Sequence, residues 1–339
     1  MTTGIAIKKG ISALMSACGL FSILESYRVA DRAFILMYHR VLRHVDPHGI
    51  NVQPGMYVTS RTFERQISFL ASTHQILPLE ELIGKANRNE SMGGCCAITF
   101  DDGWRDNYTE AFPLLEKYRV PATVFLATSF IGTNRLFWPE EICWLLEHQH
   151  TLKNKPVDDP VAVQIFKREI KEYRSETRDK FLDNIITSMK RRSPVERNQV
   201  LDYYRKCSTG SDISRQMLNW EEVDEMQSSG LITFGAHTVK HELLDQLPLS
   251  DVRTEIFQSK TDIEQKLGVN VTTFSYPNGN YTEDIVKMLN EFDFAGAVTT
   301  RKGFLGHQTP RMEIPRIAIH EDISGTIPML QGRILLETF

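Results

Sequence analysis

Cysteine is scarce in this sequence, and the spacing of the few cysteines excludes a disulfide framework and a CxxC-type metal site. The five are Cys18, Cys95, Cys96, Cys143 and Cys207. Their number is odd, and no two of them stand in a CxxC motif. Because Cys95 and Cys96 lie in an apolar run, we interpret this pair as small, buried apolar side chains.

An excess of basic charge and a membrane-spanning apolar run are also missing. The chain has 39 Lys and Arg against 43 Asp and Glu, a net charge of −4, which excludes the basic footprint of a nucleic-acid-binding domain. Its 339 residues exceed the roughly 250 that one compact core usually holds. We therefore expect one large domain with an insertion, or two domains.

The main apolar stretch near the amino terminus, residues 10–24, follows Lys8 and Lys9. It is shorter than the roughly 20 residues of a transmembrane helix, but its length fits the core of a signal peptide. The stretch is rich in Ser and Gly, however, and no clear cleavage signal follows it. We favour a docked amphipathic helix of a cytoplasmic or membrane-facing protein that associates with a membrane surface, and an exported protein stays the alternative.

Beyond residue 32, strand-like and helix-like segments alternate, which predicts a parallel α/β sheet or barrel. The expected strands are 33–38, 95–100, 122–127, 231–235, 273–276 and segments near 295–299 and 316–319, and the expected helices are 62–72, 108–118, 220–229, 251–267 and 282–290. The alternation fails over 133–216, which is charged and prone to form helices. We divide the chain into a helical segment at 1–32, a barrel at 33–320 interrupted by a helical insertion at 133–216, and a tail at 321–339.

The insertion contains two features that allow more than one interpretation. Its Lys190-Arg191-Arg192 run is typical of a solvated face, with a contact to an anionic substrate or a membrane as the alternative. Trp138 and Trp144 are expected in the core of the insertion, although aromatic rings of this kind can also line a sugar cleft.

Polar groups follow four of the predicted strands. They are His39, the pair Asp101-Asp102, the pair His237 and His241, and the turn Tyr276-Pro277-Asn278-Gly279. The carboxyl ends of parallel strands form the functional face of α/β folds. We therefore expect these groups to meet at one site.

The two histidines and the two aspartates have the chemistry of a hydrolytic metal site. Spaced i, i+4, His237 and His241 are expected on one face of a helical turn, where they can share an ion. One aspartate completes a His₂–Asp set that leaves positions for water and substrate. The other can face the attacking water as general base. Taken alone, Asp101-Asp102-Gly103 also fits a turn, and the histidines fit ordinary core or surface positions.

The strand-end motifs resemble the polysaccharide deacetylase (NodB-like, carbohydrate esterase) family. The resemblance rests on Thr99-Phe100-Asp101-Asp102-Gly103, Pro121-Ala122-Thr123-Val124-Phe125, Gly235-Ala236-His237-Thr238-Val239-Lys240-His241 and, for a third motif, Phe274-Ser275-Tyr276-Pro277-Asn278-Gly279. It covers about residues 33–132 and 217–320. It implies a distorted (β/α)₇ barrel, here with a helical insertion. It also implies a metal-dependent hydrolase that removes acetyl groups from a polysaccharide or a lipid-linked sugar.

Carried over residue by residue, the resemblance implies that Asp101 is the general base. It further implies that Asp102, His237 and His241 bind a divalent metal, with Zn²⁺ favoured, and it implies no organic cofactor. The expected partner is an acetylated glycan, N-acetylated rather than O-acetylated, in exopolysaccharide or cell-surface glycan biosynthesis.

The third motif departs from the family pattern. The family often has an arginine that orients the base where this chain has Ser275, and an aromatic residue where it has Asn278. The role of the arginine passes to Arg316 or Arg311, or stays unfilled. We expect the backbone N–H of Asn278 to help bind the oxyanion, because a backbone donor does not depend on the side chain. Tyr276 and Arg316 complete the predicted oxyanion and substrate group.

The late Leu-x-His motif that usually supplies the catalytic acid is missing. Leu36-Met37-Tyr38-His39-Arg40-Val41 resembles the amino-terminal segment of the circularly permuted exopolysaccharide deacetylase branch, where this histidine takes the place of the acid. His39 is therefore our preferred acid, and His320 is the competitor. Two other functions stay open: a hydrolase of cyclic imides or other small C–N substrates, and a non-catalytic carbohydrate-binding relative.

Overall fold

The computed structural model describes residues 3–43, 52, 55–147, 178–207 and 214–336. The chain divides into two compact units. The larger unit comprises Met1–His44, Gly55–Thr133 and Arg215–Phe339, and the smaller comprises Val45–Pro54 and Asn134–Ser214. Every residue that the sequence assigns to the site belongs to the larger unit.

A parallel sheet forms the centre of the larger unit. Its strands are β1 (Phe34–Tyr38), β4 (Gln75–Ile76), β5 (Cys95–Phe100), β6 (Ala122–Leu126), β7 (Ile232–Ala236), β8 (Thr273–Ser275), β9 (Gly296–Val298) and β10 (Ile317–Ala318). Their order is β10-β1-β5-β6-β7-β8-β9, with the short β4 beside β5, and all these neighbours are parallel. Two further strands, β2 (Arg40–Leu42) and β3 (Tyr57–Thr59), form a separate parallel pair. The curled sheet confirms the expected distorted α/β barrel.

β5 shows why the apolar runs in the sequence become strands. All six of its residues, Cys95–Phe100, are buried, as expected for a parallel strand that is covered on both faces. Cys95 and Cys96 are thus the small buried side chains that the sequence predicts, and Cys143 is also buried. Cys18, in the N-terminal segment, is exposed.

Helices cover the sheet and connect its strands. In the larger unit they are Thr3–Ala17, Leu20–Arg28, Ser60–Thr73, Leu79–Asn87, Phe112–Tyr118, Trp220–Ser228, Leu249–Leu267, Glu283–Glu291, Glu321–Ser324 and Ile327–Leu335. A π-helical segment, Asn107–Ala111, leads directly into Phe112–Tyr118. The helix predicted over 108–118 therefore exists, but its first turn is wider than an α-helical turn.

Two helix ends follow the chemistry of their sequence. Asn219 caps Trp220–Ser228: its side chain accepts a hydrogen bond from the Glu222 N–H at 2.8 Å, and Glu222 accepts from the Asn219 N–H at 3.0 Å. This is a capping box. Gly268 ends Leu249–Leu267 in the left-handed conformation, with φ 66°, which glycine adopts without a steric penalty.

The two ends of the chain pack together. Residues 321–335, which the sequence assigns to a tail, form two helices that place Leu330 and Leu335 in the main core. Ser16 of the first helix donates a hydrogen bond to the Gln331 side chain at 3.2 Å. Among the described residues, no single helix is long and apolar enough to cross a membrane. The pair 4–17 and 20–28 meets that test only jointly and bends by 86° between its halves.

The smaller unit has its own apolar core and contains the helices Trp138–Glu147, Arg178–Lys190 and Pro194–Cys207. Trp144 lies in this core, and Trp138 packs against it, which confirms the core interpretation of both rings. Lys190 and Arg191 are exposed, as expected of a solvated face, whereas Arg192 is half-buried. Residues 148–177 and 208–213 of the predicted insertion lie outside the described residues, and the limits of the insertion stay a prediction.

Candidate active site

The pairing of β1 with β5 brings His39 next to the two aspartates. Tyr38 is aligned with Phe100 across the two strands, and the Asp101 N–H donates a hydrogen bond to the Tyr38 carbonyl at 3.0 Å. The Asn107 side chain donates to the His39 carbonyl at 2.8 Å. The residues that follow β1 and β5 are therefore held side by side at one edge of the sheet.

His237 enters the same edge at the end of β7. Its backbone N–H donates to the Leu126 carbonyl at 3.0 Å, which continues the β6–β7 ladder. The ring Nδ1 of His237 donates to the Ser275 carbonyl at 2.7 Å. That hydrogen bond fixes the orientation of the ring and leaves Nε2 as the metal-binding nitrogen, as is usual for histidine ligands.

Asp102, His237 and His241 form a cluster of three potential metal ligands. Oδ1 of Asp102 lies 3.4 Å from Nε2 of His237 and 3.3 Å from Nε2 of His241. One ligand atom from each residue lies within 4.8 Å of those from the other two. The structure thus brings together the three residues that the sequence assigns to the metal.

The conformation of the histidine segment differs from the prediction. We expect a helical turn from the i, i+4 spacing, but the segment is an irregular loop in which Thr238 has φ 65° and His241 has φ 56°. The Thr238 hydroxyl accepts a hydrogen bond from the His241 N–H at 2.9 Å. Glu255 accepts from the N–H groups of Val239 and Lys240, both at 2.8 Å. These contacts stabilise a tight loop that brings the two ring centroids to 4.8 Å.

Left-handed backbone conformations are concentrated around the site. The residues other than glycine with positive φ include Asp102, Thr238, His241 and Asn278. Such conformations are uncommon and cost free energy, most of all for a β-branched residue such as Thr238. The surrounding contacts hold this backbone in a geometry that the chain alone does not favour.

Trp104 orients Asp102, a role that the sequence analysis missed. Its indole Nε1–H donates a hydrogen bond to Oδ2 of Asp102 at 2.8 Å, and the Trp104 side chain is fully buried. The guanidinium of Arg40 lies over this ring, 4.3 Å from its centroid, and its Nε donates to Oδ2 of Asp106 at 2.8 Å. The only signal in the sequence is the position of the tryptophan, two residues after a ligand.

Arg316 takes the place of the arginine that the third motif lacks. Its Nη1 and Nη2 donate to Oδ1 and Oδ2 of Asp101 at 2.7 and 2.6 Å. The same guanidinium donates to the Ser275 hydroxyl at 3.0 Å and to the Thr299 carbonyl at 3.0 Å. Arg316 is completely buried and held by Asp101, so its geometry is that of an orienting group. Arg311 contacts Asn290 instead.

These charges determine the protonation of the two aspartates. Burial alone raises the pKa of Asp101, but the charge and hydrogen bonds of Arg316, with His237 and His39, bring that pKa below its usual range. Burial likewise raises the pKa of Asp102, and the hydrogen bond to His237 and the charges of His241 and His39 outweigh it. Both carboxyl groups are therefore ionised at neutral pH.

The two histidines differ in their proton affinity. Burial lowers the pKa of His241 to about 4 in the metal-free protein. Burial also opposes the charge on His237, but the hydrogen bond to Asp102 and the two aspartate charges outweigh it and raise the pKa of His237. His241 is thus neutral at pH 7 and has the form that binds a metal.

Of the two candidate acids, His39 lies with the cluster. It directly follows β1, whose last residue Tyr38 is aligned with Phe100, and its ring is partly exposed. His320 forms a close contact with the Asp322 carboxylate, two residues further along the chain. The strand pairing therefore places His39 at the same sheet edge as the two aspartates, whereas the His320 ring contacts Asp322.

The turn after β8 holds the remaining predicted residues. The Tyr276 hydroxyl donates to the Met312 carbonyl at 2.9 Å, and the ring is buried against Phe274 and Tyr281. Its side chain thus belongs to the core, and the structure does not bring the hydroxyl to the ligand cluster. Asn278 is exposed and has φ 56°, and its carbonyl accepts a hydrogen bond from Thr300 at 3.2 Å.

The donor set fits a divalent metal ion. Two imidazole nitrogens and one carboxylate oxygen are the three protein ligands of many catalytic zinc sites, which keep further positions for water and substrate. For His237 and Asp102, the side-chain atoms that do not face the cluster are already hydrogen-bonded to the protein. Nδ1 of His237 donates to the Ser275 carbonyl, and Oδ2 of Asp102 accepts from the Trp104 indole. Two of the three ligands therefore have the outer hydrogen bond that is typical of such a site.

Comparison with known families identifies the class of this fold and site. Residues 88–192 and 197–297 match the model of the polysaccharide deacetylase family, which is more than half of the chain. The chain belongs to the polysaccharide deacetylase family. The predicted membership, and with it the prediction of a deacetylase enzyme, is confirmed.

Individual relatives agree with this assignment. The chain is 21% identical to the Bacillus subtilis protein YxkH, whose name places it among polysaccharide deacetylases, over 86% of this chain and 73% of that protein. It is 36% identical over 112 residues to the poly-beta-1,6-N-acetyl-D-glucosamine N-deacetylase of Staphylococcus epidermidis, which covers 30% of this chain and 38% of that protein. These relatives support the exopolysaccharide branch that the His39 segment resembles.

Two solved structures share the fold. The Streptococcus pyogenes deacetylase PplD, in complex with acetate, superposes with a TM-score of 0.59 at 20% identity and covers 90% of this chain and 98% of its own. IcaB from Ammonifex degensii has a TM-score of 0.56 at 18% identity, over 89% of this chain and 97% of its own. These matches confirm the distorted deacetylase-type barrel.

Proposed function

We propose that this protein is a metal-dependent N-deacetylase that acts on an N-acetylated sugar of an exopolysaccharide or cell-surface glycan. One observation carries the proposal. Asp101, held by two hydrogen bonds from Arg316, stands next to the ligand cluster of Asp102, His237 and His241. The name of the Staphylococcus epidermidis relative supports an amide of an acetylated amino sugar as the substrate.

Asp102, His237 and His241 would hold one divalent ion, for which the nitrogen and oxygen donor set favours Zn²⁺. When bound, such an ion acidifies a water molecule and polarises the acetyl carbonyl. The protein contributes the orientation of the ligands. Ser275 fixes the ring of His237 and Trp104 fixes the carboxylate of Asp102.

Asp101 is the general base in this proposal. It accepts a proton from the attacking water, and it is ionised at neutral pH because Arg316 stabilises its charge. The bidentate contact also fixes the direction in which the carboxylate faces. Since Arg316 is completely buried, it acts on the base and does not contact the substrate.

His39 is the proposed acid. It donates a proton to the nitrogen of the leaving amine, which must be protonated as the C–N bond breaks. Its partly exposed ring and its position at the end of β1, next to Asp101, suit this role. The backbone N–H of Asn278 is proposed to help bind the oxyanion.

Acetate release tests the substrate class. The purified protein, loaded with Zn²⁺, is incubated with β-1,6-linked and β-1,4-linked N-acetylglucosamine oligomers, an O-acetylated sugar and a cyclic imide. We expect acetate and a free amine from at least one of the two oligomers, in a reaction that a chelator stops. Hydrolysis of the imide alone, or of the O-acetyl ester alone, would contradict the proposal. Glycan binding without turnover would favour the non-catalytic alternative.

A further inference from the structure

The first helix, Thr3–Ala17, exposes one apolar face, while Met15 on another side of the helix packs against the main core. Ser12 has 0% of its surface exposed, and Ser16 donates a hydrogen bond to Gln331. Ile7, Ile11 and Leu14, spaced i, i+4, i+7 and thus on one face, are exposed, Ile7 by 56% and Leu14 by 67%. A helix on the surface of a globular protein usually exposes polar side chains, so this exposed apolar face is unusual.

The second helix, Leu20–Arg28, packs some apolar side chains on the core and exposes others on one face. Phe21 is buried in the main core, whereas Leu20, Ile23 and Tyr27 are exposed, Tyr27 by 88%. The spacing i, i+3, i+7 again places the exposed residues on one face. We call the six exposed residues of the two helices the N-terminal apolar surface; they are Ile7, Ile11, Leu14, Leu20, Ile23 and Tyr27.

Specific contacts hold the second helix on the barrel unit. Oε1 of Glu25 lies 2.5 Å from Nε2 of His74, and Arg28 Nη1 donates to the Leu335 carbonyl at 2.6 Å. Together with the buried Phe21, these contacts fix which side of the helix faces outward. The exposure of the apolar side chains is therefore a property of the fold and not of a detached segment.

The charges near this surface are basic, although the whole chain is acidic. Residues 1–32 contain four basic side chains and two acidic ones, whereas the chain has a net charge of −4. The two acidic side chains, Glu25 and Asp31, are within contact distance of His74 and His307. Lys9 is exposed on the first helix, which contains no acidic residue.

Apolar side chains beside basic ones complement a membrane surface that carries anionic lipids. A second copy of the chain fits less well, because it would bring the same basic charges together. The 86° bend between the helices and the one-sided exposure of each suit helices that lie in the interface. Tyrosine is also enriched at that depth, where its ring is apolar and its hydroxyl is hydrated.

We propose that the N-terminal apolar surface docks this protein on a membrane that contains anionic lipids. Its six side chains enter the boundary between headgroups and acyl chains, and the exposed Lys9 is attracted by the negative surface potential of the lipids. The inference does not depend on the proposed deacetylase activity, because no residue of the catalytic cluster takes part in it.

Co-sedimentation of the full chain with lipid vesicles tests the proposal. One set of vesicles is made of phosphatidylcholine alone, and the other of phosphatidylcholine with about 30% of the anionic lipid phosphatidylglycerol. We expect binding to the anionic vesicles, weaker binding to the neutral ones, and a loss of affinity as salt is added. Failure of the protein to bind the anionic vesicles would overturn the proposal.

Variants locate the contact. Ile7→Ser, Ile11→Ser and Leu14→Ser in combination should lower the affinity at least about 100-fold, because three large side chains no longer leave water. Lys9→Ser should lower it about fivefold. The matched control combines Leu249→Ser with Val195→Ser, two exposed apolar residues elsewhere on the chain, and should bind like the wild type.

Two further readouts separate the alternatives. Light scattering shows whether the wild type forms a dimer that the triple serine variant does not form. Such a dimer, without vesicle binding, would assign the surface to a second copy and overturn the proposal. Circular dichroism and thermal unfolding show whether the triple variant is folded. If the folded triple variant binds vesicles as well as the wild type does, the proposal is also contradicted.

Discussion

Trp104 donates its indole N–H to Oδ2 of Asp102 at 2.8 Å, while Oδ1 of the same carboxylate lies within 3.4 Å of both imidazole Nε2 atoms. The two oxygens of Asp102 thus have different roles. One is held by the protein, and the other faces the histidines. We therefore expect the metal affinity of this site to depend on Trp104, which is not itself a metal ligand.

Trp104→Phe removes this hydrogen bond and keeps an aromatic ring in the core. We expect the affinity for Zn²⁺ to fall about 10–100-fold, the usual cost of losing such an outer hydrogen bond. Competition with a chromophoric chelator measures the affinity directly. Trp220→Phe is the matched control, because Trp220 packs at the edge of the main core and has no contact with a ligand among the described residues. Equal affinities for the wild type and Trp104→Phe would contradict the assigned role.

Arg316→Gln tests the control of the general base. Arg316 lowers the pKa of Asp101 against the effect of burial, so its removal should raise that pKa. Because the base must be ionised, the acidic limb of the pH profile of kcat/KM should move to higher pH. Arg311→Gln, which loses only a contact with Asn290, should keep the profile of the wild type. Superimposable profiles for Arg316→Gln and the wild type would refute this role.

Metal binding should release a proton from His237. The pKa of His237 is raised, whereas that of His241 is lowered to about 4. Only neutral imidazole binds metal, so the metal affinity should rise with pH until the pH exceeds the pKa of His237. Above about pH 5, His241 is already neutral and should release no proton when metal binds. Titration calorimetry in buffers of different ionisation enthalpy counts the released protons. No proton release at pH 6 would contradict the prediction.

Glu255→Gln tests the support of the histidine loop. Burial raises the pKa of Glu255 more than its backbone hydrogen bonds lower it. A raised pKa in the folded state contributes stability that is present at low pH and is lost as pH rises through that pKa. Gln keeps an oxygen that can accept from Val239 and Lys240 but does not ionise.

The free energy of unfolding of the wild type, minus that of Glu255→Gln, should therefore decrease as pH rises from 4 to 7. Urea unfolding at several pH values measures this difference. If the difference in the free energy of unfolding does not change with pH, burial does not raise the pKa of Glu255, and the prediction is wrong.

The sequence predicts the parts of the site that depend on local patterns. β5 is recognisable because a parallel strand is apolar on both faces, and Asp101 follows directly at its end. The same reasoning locates His39 after β1 and His237 after β7. These residues meet because parallel strands place their carboxyl ends at one edge of the sheet.

The sequence does not predict contacts that depend on the alignment of distant segments. Arg316 reaches Asp101 across 215 positions of the chain, and no local signal distinguishes it from Arg311. The loop conformation of His237 and His241 depends on Glu255, which lies on the helix that follows the loop, Leu249–Leu267. The expected helical turn was wrong because spacing alone does not determine the backbone between two ligands.

The most direct test of the account compares the wild type with Asp101→Asn, each loaded with Zn²⁺ and supplied with N-acetylglucosamine oligomers. Acetate release and bound metal are measured on the same samples. We predict about one metal ion per chain in both proteins and a rate for Asp101→Asn that is at least about 10²-fold lower, the usual contribution of a general base. Equal rates at equal metal content would contradict the assignment of Asp101 and, with it, the proposed mechanism.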